Sequence, residues 1–344
     1  MDTTLFRTRI GLAALAAALA LSVPLVAGFF NALHPAFDSF AHFRVHLAVM
    51  MALAALPLLA GRFWKVGVMT LAFALAATAT VSSSMRLAGL GFVHAGPAAK
   101  DGEHPVYRLL QINLRYDNPE PNKVLSLIGR LRPDVVTFDE VSDMWKEKLA
   151  LLSSAYPHQI FCPYPNSVFG VAILSARPFA EGAEAECYER GSLAIAPLDF
   201  GGRAVDVAAI HLGWPWPFEQ PRQIPALSGP LSMLGQTALL AGDFNATPWS
   251  RTVQRVSAMG KLTLVPSVGP TWQWYRLPDF LRFAGLPIDQ VLYKGDVTNL
   301  SIRTLQEVGS DHLPVLVEFS LKTAPPLGEG AETATAAAEA ARLL

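Results

Sequence analysis

Apolar residues follow two regimes along this chain. Up to Gly91 they run almost without charge, and beyond it they come in short bursts separated by polar turns. Three early runs, at 10–30, 45–61 and 66–82, predict about three transmembrane helices, the last two near the lower length limit. Arg7 and Arg9 precede the first run, and Arg62 and Lys65 lie between the second and third, so the basic residues put both segments on the cytoplasmic side. Arg44 is the one Lys or Arg in the loop opposite, between the first two runs. Three spans starting inside put everything after Met85 outside, which reads as a multi-pass protein of a bacterial inner membrane with its bulk in the periplasm. A cleaved signal peptide ending near Ala27 and Gly28 competes with the first span, and the two later runs argue against it. A buried bundle of a soluble protein is the other alternative, but few polar residues are available to face water.

The second regime predicts strands at Tyr107–Ile112, Val135–Phe138, Gln159–Cys162, Val171–Leu174, Leu193–Leu198, Arg203–His211, Ala238–Ala241, Ile288–Tyr293, Ser301–Leu305 and Pro314–Phe319. Helical spacing covers Pro121–Leu131 and Met144–Leu152, and Ser250 caps a helix to Met259. Gln220–Gln236 is less clearly helical because Pro225 and Pro230 interrupt it. Many short strands with helices between them predict an α/β fold of two packed sheets flanked by helices. The chain then divides into an N-terminal membrane region (1–88), a Gly/Ala/Pro-rich linker (89–103), a globular domain (104–321) and a disordered tail (322–344).

Charge narrows the function. Charged residues make up 16% of the chain, against a usual ~25%. Asp101 to Leu321 carries 18 Lys plus Arg against 23 Asp plus Glu, net −5, with no basic stripe. That weakens tight nonspecific nucleic-acid binding without excluding a nuclease, since a metal ion can supply local positive charge. Cys162 and Cys187 belong to no CxxC or Cys/His cluster, so a structural zinc is not expected. They pair in an oxidising compartment or stay as buried thiols, and no defined role is assigned to them. There is no dinucleotide GxGxxG and no P-loop.

Candidate chemistry gathers at strand ends. In LLAGDFNATP (Leu239–Pro248) an apolar strand delivers Asp243 and Asn245 two residues apart, so period-two alternation turns a carboxylate and a carboxamide to one side, with Phe244 packed behind. Such a pair suits a phosphate ester, although Gly, Asp and Asn are also ordinary turn residues. Asn113, Glu140, His211, Asp289, Asp311 and His312 fall at or just after strand ends as well.

The motifs QIN (Gln111–Asn113), Glu140-Val141, SVFGVAILSARP (Ser167–Pro178), AIHL (Ala209–Leu212), GDFNATP, IDQVL (Ile288–Leu292) and GSDHLPV (Gly309–Val315) occur in that order. Together they resemble the endonuclease/exonuclease/phosphatase (DNase-I-like) superfamily, which includes pancreatic-type DNases, abasic-site nucleases, inositol-polyphosphate 5-phosphatases and neutral sphingomyelinases. The whole looks most like its bacterial membrane-anchored branch. The resemblance covers roughly Tyr107–Ser320 and implies a four-layer α/β/β/α sandwich with the site at one edge of the sheets. It implies Mg²⁺-dependent phosphoester hydrolysis, with Mn²⁺ as an alternative ion. Glu140 is then the main metal ligand, with Asn113 beside it and Asp311 in the metal's shell. Asp243 orients and deprotonates the attacking water, and Asn245 holds the phosphate. His312, fixed by Asp289, donates to a phosphate oxygen; His211 is a second donor or the acid for the leaving group.

Two positions depart from the family pattern. Asp139 stands where Gln usually precedes the metal-binding Glu, adding negative charge near the metal or acting behind it, and Gln290 stands where His often follows the orienting Asp. Trp214 and Trp272 are candidate substrate-binding residues, with Trp216, Trp274, Tyr275, Phe280 and Phe283 nearby in sequence. They can stack on bases, dip into a lipid interface, or pack the loops down. A nuclease is the first reading, a phospholipid or sugar-phosphate phosphoesterase the second, and a catalytically silent binding module the third. The lipid bilayer is the expected partner through the N-terminal helices; no protein partner can be inferred.

Overall fold

A computed structural model describes residues 3–82, 84, 105–165 and 168–322. The expected linker at 89–103 lies outside these residues, as does the expected tail apart from Lys322. The N-terminal region holds four helices, α1 (Thr3–Ala27), α2 (Pro35–His42), α3 (Arg44–Leu59) and α4 (Trp64–Ala79). They do not make three spans. Among the described residues only the first helical stretch, Phe6–Phe30, is long and apolar enough alone; α2 and α3 reach that length only together, across a 61° bend. The difference is geometric. At 1.5 Å per residue the 16 residues of α3 or of α4 rise about 24 Å, short of a ~30 Å hydrocarbon core. Apolar composition ran on past the helix ends, so the sequence windows read longer than the helices are.

The globular region forms two six-stranded mixed sheets. The first has the order β11-β12-β1-β2-β4-β3, from β1 (Tyr107–Asn113), β2 (Val135–Asp139), β3 (His158–Cys162), β4 (Val171–Ser175), β11 (Val297–Thr304) and β12 (Val315–Leu321). The second has the order β5-β6-β7-β8-β10-β9, from β5 (Glu186–Tyr188), β6 (Leu193–Asp199), β7 (Ala204–His211), β8 (Ala238–Asp243), β9 (Thr263–Leu264) and β10 (Asp289–Lys294). The central strands are buried on both faces, and that sets the number of layers. Leu109 of β1 joins the core between the sheets, facing Val207 and Leu239, whereas Leu110 and Ile112 pack outward. They meet α5 (Pro121–Leu131) and α6 (Asp143–Leu149) through Val124, Ile128 and Trp145. On the far side Ile210 and Leu240 meet α7 (Gln220–Ala226), α8 (Ser228–Ser232) and α9 (Arg251–Gly260) through Ile224, Leu231 and Val256. The result is the expected α/β/β/α sandwich. The doubtful segment Gln220–Gln236 resolves into the two short helices α7 and α8, with Pro225 inside the first.

The short helix α2 is fastened to the globular region. Both carboxylate oxygens of Asp38 accept backbone N–H groups at the start of α9, from Arg251 (2.7 Å) and Thr252 (3.0 Å). An anion is well placed there, where the first N–H groups of a helix lack partners. Trp249 Nε1 donates to the Ala41 carbonyl (2.7 Å), and Thr247 N donates to His42 Nδ1 (3.2 Å).

Cys162 and Cys187 form a disulfide, Cα to Cα 5.5 Å, so the thiols left without a role are paired. It joins β3 at the edge of one sheet to β5 at the edge of the other. Closing a loop with a sequence separation of 25 is worth about 3.5 kcal/mol in the chain-entropy account. Cys187→Ser should therefore lower unfolding stability by about that amount in denaturant titrations of oxidised protein, and a reductant should bring wild type to the same midpoint.

Candidate active site

Parallel pairing occurs once in each sheet, β1 with β2 and β7 with β8. A parallel pair ends both strands on the same side, which puts Asn113 beside Asp139 and His211 beside Asp243. The two edges are joined by polar contacts. Asn113 Nδ2 donates to Glu140 Oε1 (3.2 Å) and to Asp243 Oδ2 (3.1 Å) on the other sheet. Gln111 Nε2 bridges Asp139 Oδ2 (3.1 Å) and Asp289 Oδ1 (3.0 Å). The backbone N–H of Asp243 donates to Asp139 Oδ2 (2.7 Å).

Asp243 is the hub. Its Oδ1 accepts the backbone N–H of Asn245 (2.7 Å), and its Oδ2 lies 3.6 Å from His312 Nε2 and 3.7 Å from His211 Nε2. Asp243 and Asn245 do converge, Nδ2 to Oδ2 3.4 Å, but a turn rather than strand alternation brings them together. The strand ends at Asp243, and Asn245 adopts a left-handed φ of 46°. Its amide is fixed by donation to the Leu212 carbonyl (2.8 Å). Glu140 is left-handed too, at φ 57°, and its Oε2 accepts Tyr116 N (3.0 Å). Non-glycine residues held this way carry strain that the surrounding structure must hold in place.

His312 Nδ1 donates to Asp289 Oδ2 (2.8 Å), and Thr271 Oγ1 accepts the Asp289 N–H. Burial opposes the imidazolium, but the charges of Asp289 and Asp243 and the hydrogen bond to Asp289 outweigh it, so the His312 pKa stands well above its ordinary value. Burial pushes Asp243 up to about 6, with the charge of Asp289 adding and His312 and His211 opposing. His211 Nδ1 donates to the Phe169 carbonyl (3.2 Å), which turns Nε2 toward Asp243.

The structure brings all eight strand-end residues into one network or its cavity. A cavity of about 210 Å³ is lined by Glu140, His211, Asp243, Asn245, Asp311 and His312, and by Trp214 and Trp272. Trp272 Nε1 donates to Asp311 Oδ2 (3.1 Å), and the Trp214 and Trp272 rings meet edge to face at 6.3 Å. Asp139, in contrast, lies behind the cavity rather than on its wall. It is buried beneath the site, where desolvation and then the charges of Asp243 and Asp289 raise its pKa well above the carboxylate range, favouring the neutral acid. Gln290 is a brace, donating to the carbonyls of Ala246 (2.9 Å) and Pro287 (2.8 Å).

Asp243, Asp289 and His312 present potential ligand atoms within 4.8 Å of one another. The Asp–His hydrogen bond already uses His312 Nδ1, and an imidazolium is no ligand. The donors that fit a divalent cation are Glu140 and Asp311, half-buried carboxylates on a cavity lined by no Lys or Arg among the described residues. Hard oxygen ligands of this kind suit a divalent cation.

Two groups of residues escaped the reading of the sequence. Gln111 entered only as part of the QIN motif, with no role of its own. Asp38 and His42 sit in a stretch read as membrane, although Asp38 is the only acid between Asp2 and Asp101.

A four-layer sandwich with acid, amide and Asp–His groups at one edge of its sheets is a DNase-I-like hydrolase scaffold. The Endonuclease/Exonuclease/phosphatase family model matches residues 110–312, more than half of the chain, and the chain belongs to that family. Its members are hydrolases acting on phosphoester bonds. The human Nocturnin catalytic domain with bound sulfate is 19% identical, over 67% of this chain and 97% of that one, with a TM-score of 0.51. D. rerio TDP2 complexed with single-strand DNA product is 15% identical over 62% and 98%, with a TM-score of 0.50. An endonuclease/exonuclease/phosphatase from Beutenbergia cavernae is 22% identical over 64% and 73%, with a TM-score of 0.49. At these identities the likeness is one of fold. No curated protein matches the sequence.

Gly242 sets the position of Asp243. A Cβ there would collide with the Ile210 carbonyl across the β7–β8 pair. Gly242→Ala should cost about 1–3 kcal/mol of stability, and its melting temperature in a thermal scan should fall accordingly.

Proposed function

We propose that this chain is a membrane-anchored, divalent-metal-dependent phosphodiesterase whose attacking water is oriented and deprotonated by Asp243. The observation that carries this reading is the alignment Asp289–His312–Asp243, with Nδ1 of the histidine on one carboxylate at 2.8 Å and Nε2 facing the other at 3.6 Å. A carboxylate with its pKa near 6 is matched to taking a proton at neutral pH. His312, held protonated, donates from Nε2 to a phosphate oxygen as charge builds on it. Asn245 offers its amide to the phosphate, and His211 is a second donor or the acid for the leaving group. Glu140, with Asn113 and Asp311 beside it, would hold a divalent ion, Mg²⁺ or alternatively Mn²⁺, that polarises a phosphate oxygen.

Residues 104–321 form the catalytic domain in this reading, and residues 1–88 hold it at the bilayer. The support is the apolar outward surface of the N-terminal helices, with Leu19, Val23, Leu53 and Met69 more than half exposed. Arg7 and Arg9 before α1 favour a cytoplasmic N-terminus and a catalytic domain on the other face. The Cys162–Cys187 bridge suits an oxidising compartment. This is the arrangement expected of the family's membrane-anchored bacterial branch.

Nucleic acid is the first reading of the substrate because nuclease action is the superfamily's commonest chemistry. The cavity favours the second reading, a lipid or sugar phosphoester, because Trp214, Phe218 and Trp272 line it while no Lys or Arg does among the described residues. A silent binding module would not need the full acid–base set. In detergent, the full chain should hydrolyse bis-p-nitrophenyl phosphate with Mg²⁺ or Mn²⁺ and lose that activity in EDTA. Asp243→Ala and His312→Ala should each lower kcat by about 10²–10⁴ with unchanged circular dichroism; wild-type rates in both would sink the mechanism. Asp289→Asn removes a charge that holds His312 protonated. Its deprotonation then falls at lower pH, so the alkaline limb of the pH–rate profile should move down.

A further inference from the structure

A second cavity, of about 180 Å³, adjoins the active site, and Trp214, Phe218, Asn245 and Trp272 line both. Its other wall comes from the N-terminal region: Ser39 and His42 of α2, and Phe43 at the bend into α3. Trp216 and Leu286 line it too. The two regions are fixed against each other here. Ser39 Oγ donates to the Trp216 carbonyl (2.9 Å), and His42 Nδ1 accepts the Thr247 N–H (3.2 Å) from the loop that carries Asn245.

The cavity's walls are mostly hydrocarbon and aromatic ring. Since His42 Nδ1 is an acceptor, the ring proton is on Nε2, which is buried and has no partner. A nucleobase would bring several edge donors and acceptors into this space, and each one left unpaired costs binding. A hydrocarbon chain brings none. The size is adequate, because an apolar cavity of about 150 Å³ holds a benzene molecule. The wall helix α2 follows directly on the apolar α1, and Phe29, Phe30, Leu33, Phe40 and Phe43 are exposed around this junction.

We propose that this cavity is a substrate subsite, built jointly by α2 and the catalytic loops, that takes the hydrocarbon part of an amphiphilic phosphoester whose phosphate lies at Asn245 and His312. The proposal rests on the phosphoester-hydrolase reading above and names the substrate class for that site.

The test uses the full chain in detergent with Mg²⁺ and a series of methyl, butyl and octyl p-nitrophenyl phosphodiesters, each below its own aggregation concentration. The leaving group is constant, so only the alkyl chain varies. kcat/KM should rise with chain length, by up to about fourfold for each methylene buried. Ser39→Trp fills the cavity from α2 and should bring the octyl-to-methyl ratio close to one. Phe43→Ala removes a wall and should lower the ratio, which covers a misfolded Ser39→Trp. Partitioning into detergent raises the ratio equally in all three proteins, so an unchanged ratio in both variants overturns the subsite. Metal-dependent hydrolysis of all three esters at one rate also overturns it and leaves the hydrolase standing. No hydrolysis of any ester by wild type removes the hydrolase reading and this one with it. Faster cleavage of a single-stranded oligonucleotide than of the octyl ester overturns it in favour of a nuclease.

Discussion

The arrangement depends on how ionisable groups are tolerated between two otherwise apolar sheets. Asp243, Asp289 and His312 are each at least 95% buried, where an unpaired charge would be costly. They persist because each satisfies another: Asp289 fixes and charges His312, His312 faces Asp243, and Asn113 donates to Asp243 from the opposite sheet. Asp139 completes the set by favouring its neutral form, accepting N–H groups from Asp243 and Gln111 without adding a charge. Glu140 and Asp311, by contrast, lie at the half-buried rim, where a cation and solvent can reach.

The same constraint explains the architecture around the site. Polar groups at this depth must be placed to within a hydrogen bond's tolerance, and strand ends provide that accuracy because their register is fixed by the ladders below them. The parallel pairs β1–β2 and β7–β8 deliver their polar residues in adjacent pairs, and Asp289 faces Asp243 directly across the antiparallel β8–β10 ladder. The two left-handed residues, Glu140 and Asn245, come one and two positions after a strand ends, where the chain is no longer held by pairing.

Much of this was legible in the sequence, because strands buried on both faces leave apolar runs and the polar residues that end them stand out. Pro121–Leu131 is helical over the bounds its periodicity predicts. What could not be read depends on distance in space. The separation of Cys162 and Cys187 carries no sign that β3 and β5 lie at matching edges of two sheets. Between the two readings of Asp139, a charge near the metal or a group behind it, adjacency to Glu140 in sequence could not decide, because the depth of its burial depends on the facing sheet. Apolar composition likewise overstated the spans, since it does not reveal that α3 and α4 each stop after 16 residues.

The docking of α2 changes what the N-terminal region does in the molecule. A tether would need only α1 and a linker. Instead Asp38 caps α9, and Trp249 and Thr247 hold α2 through the loop that begins at Asn245. A rigid junction of this kind fits a substrate that already resides at the membrane surface. The catalytic region is net negative and no Lys or Arg lines its cavity among the described residues, so long-range attraction of a polyanion is not its strength. Confinement to a bilayer can replace that steering by raising the local concentration of an amphiphilic substrate. An apolar wall beside the phosphate position then discriminates by chain burial rather than by charge. On the proposed reading the N-terminal helices and the hydrolytic residues form one site, and separating them should cost substrate recognition before it costs chemistry.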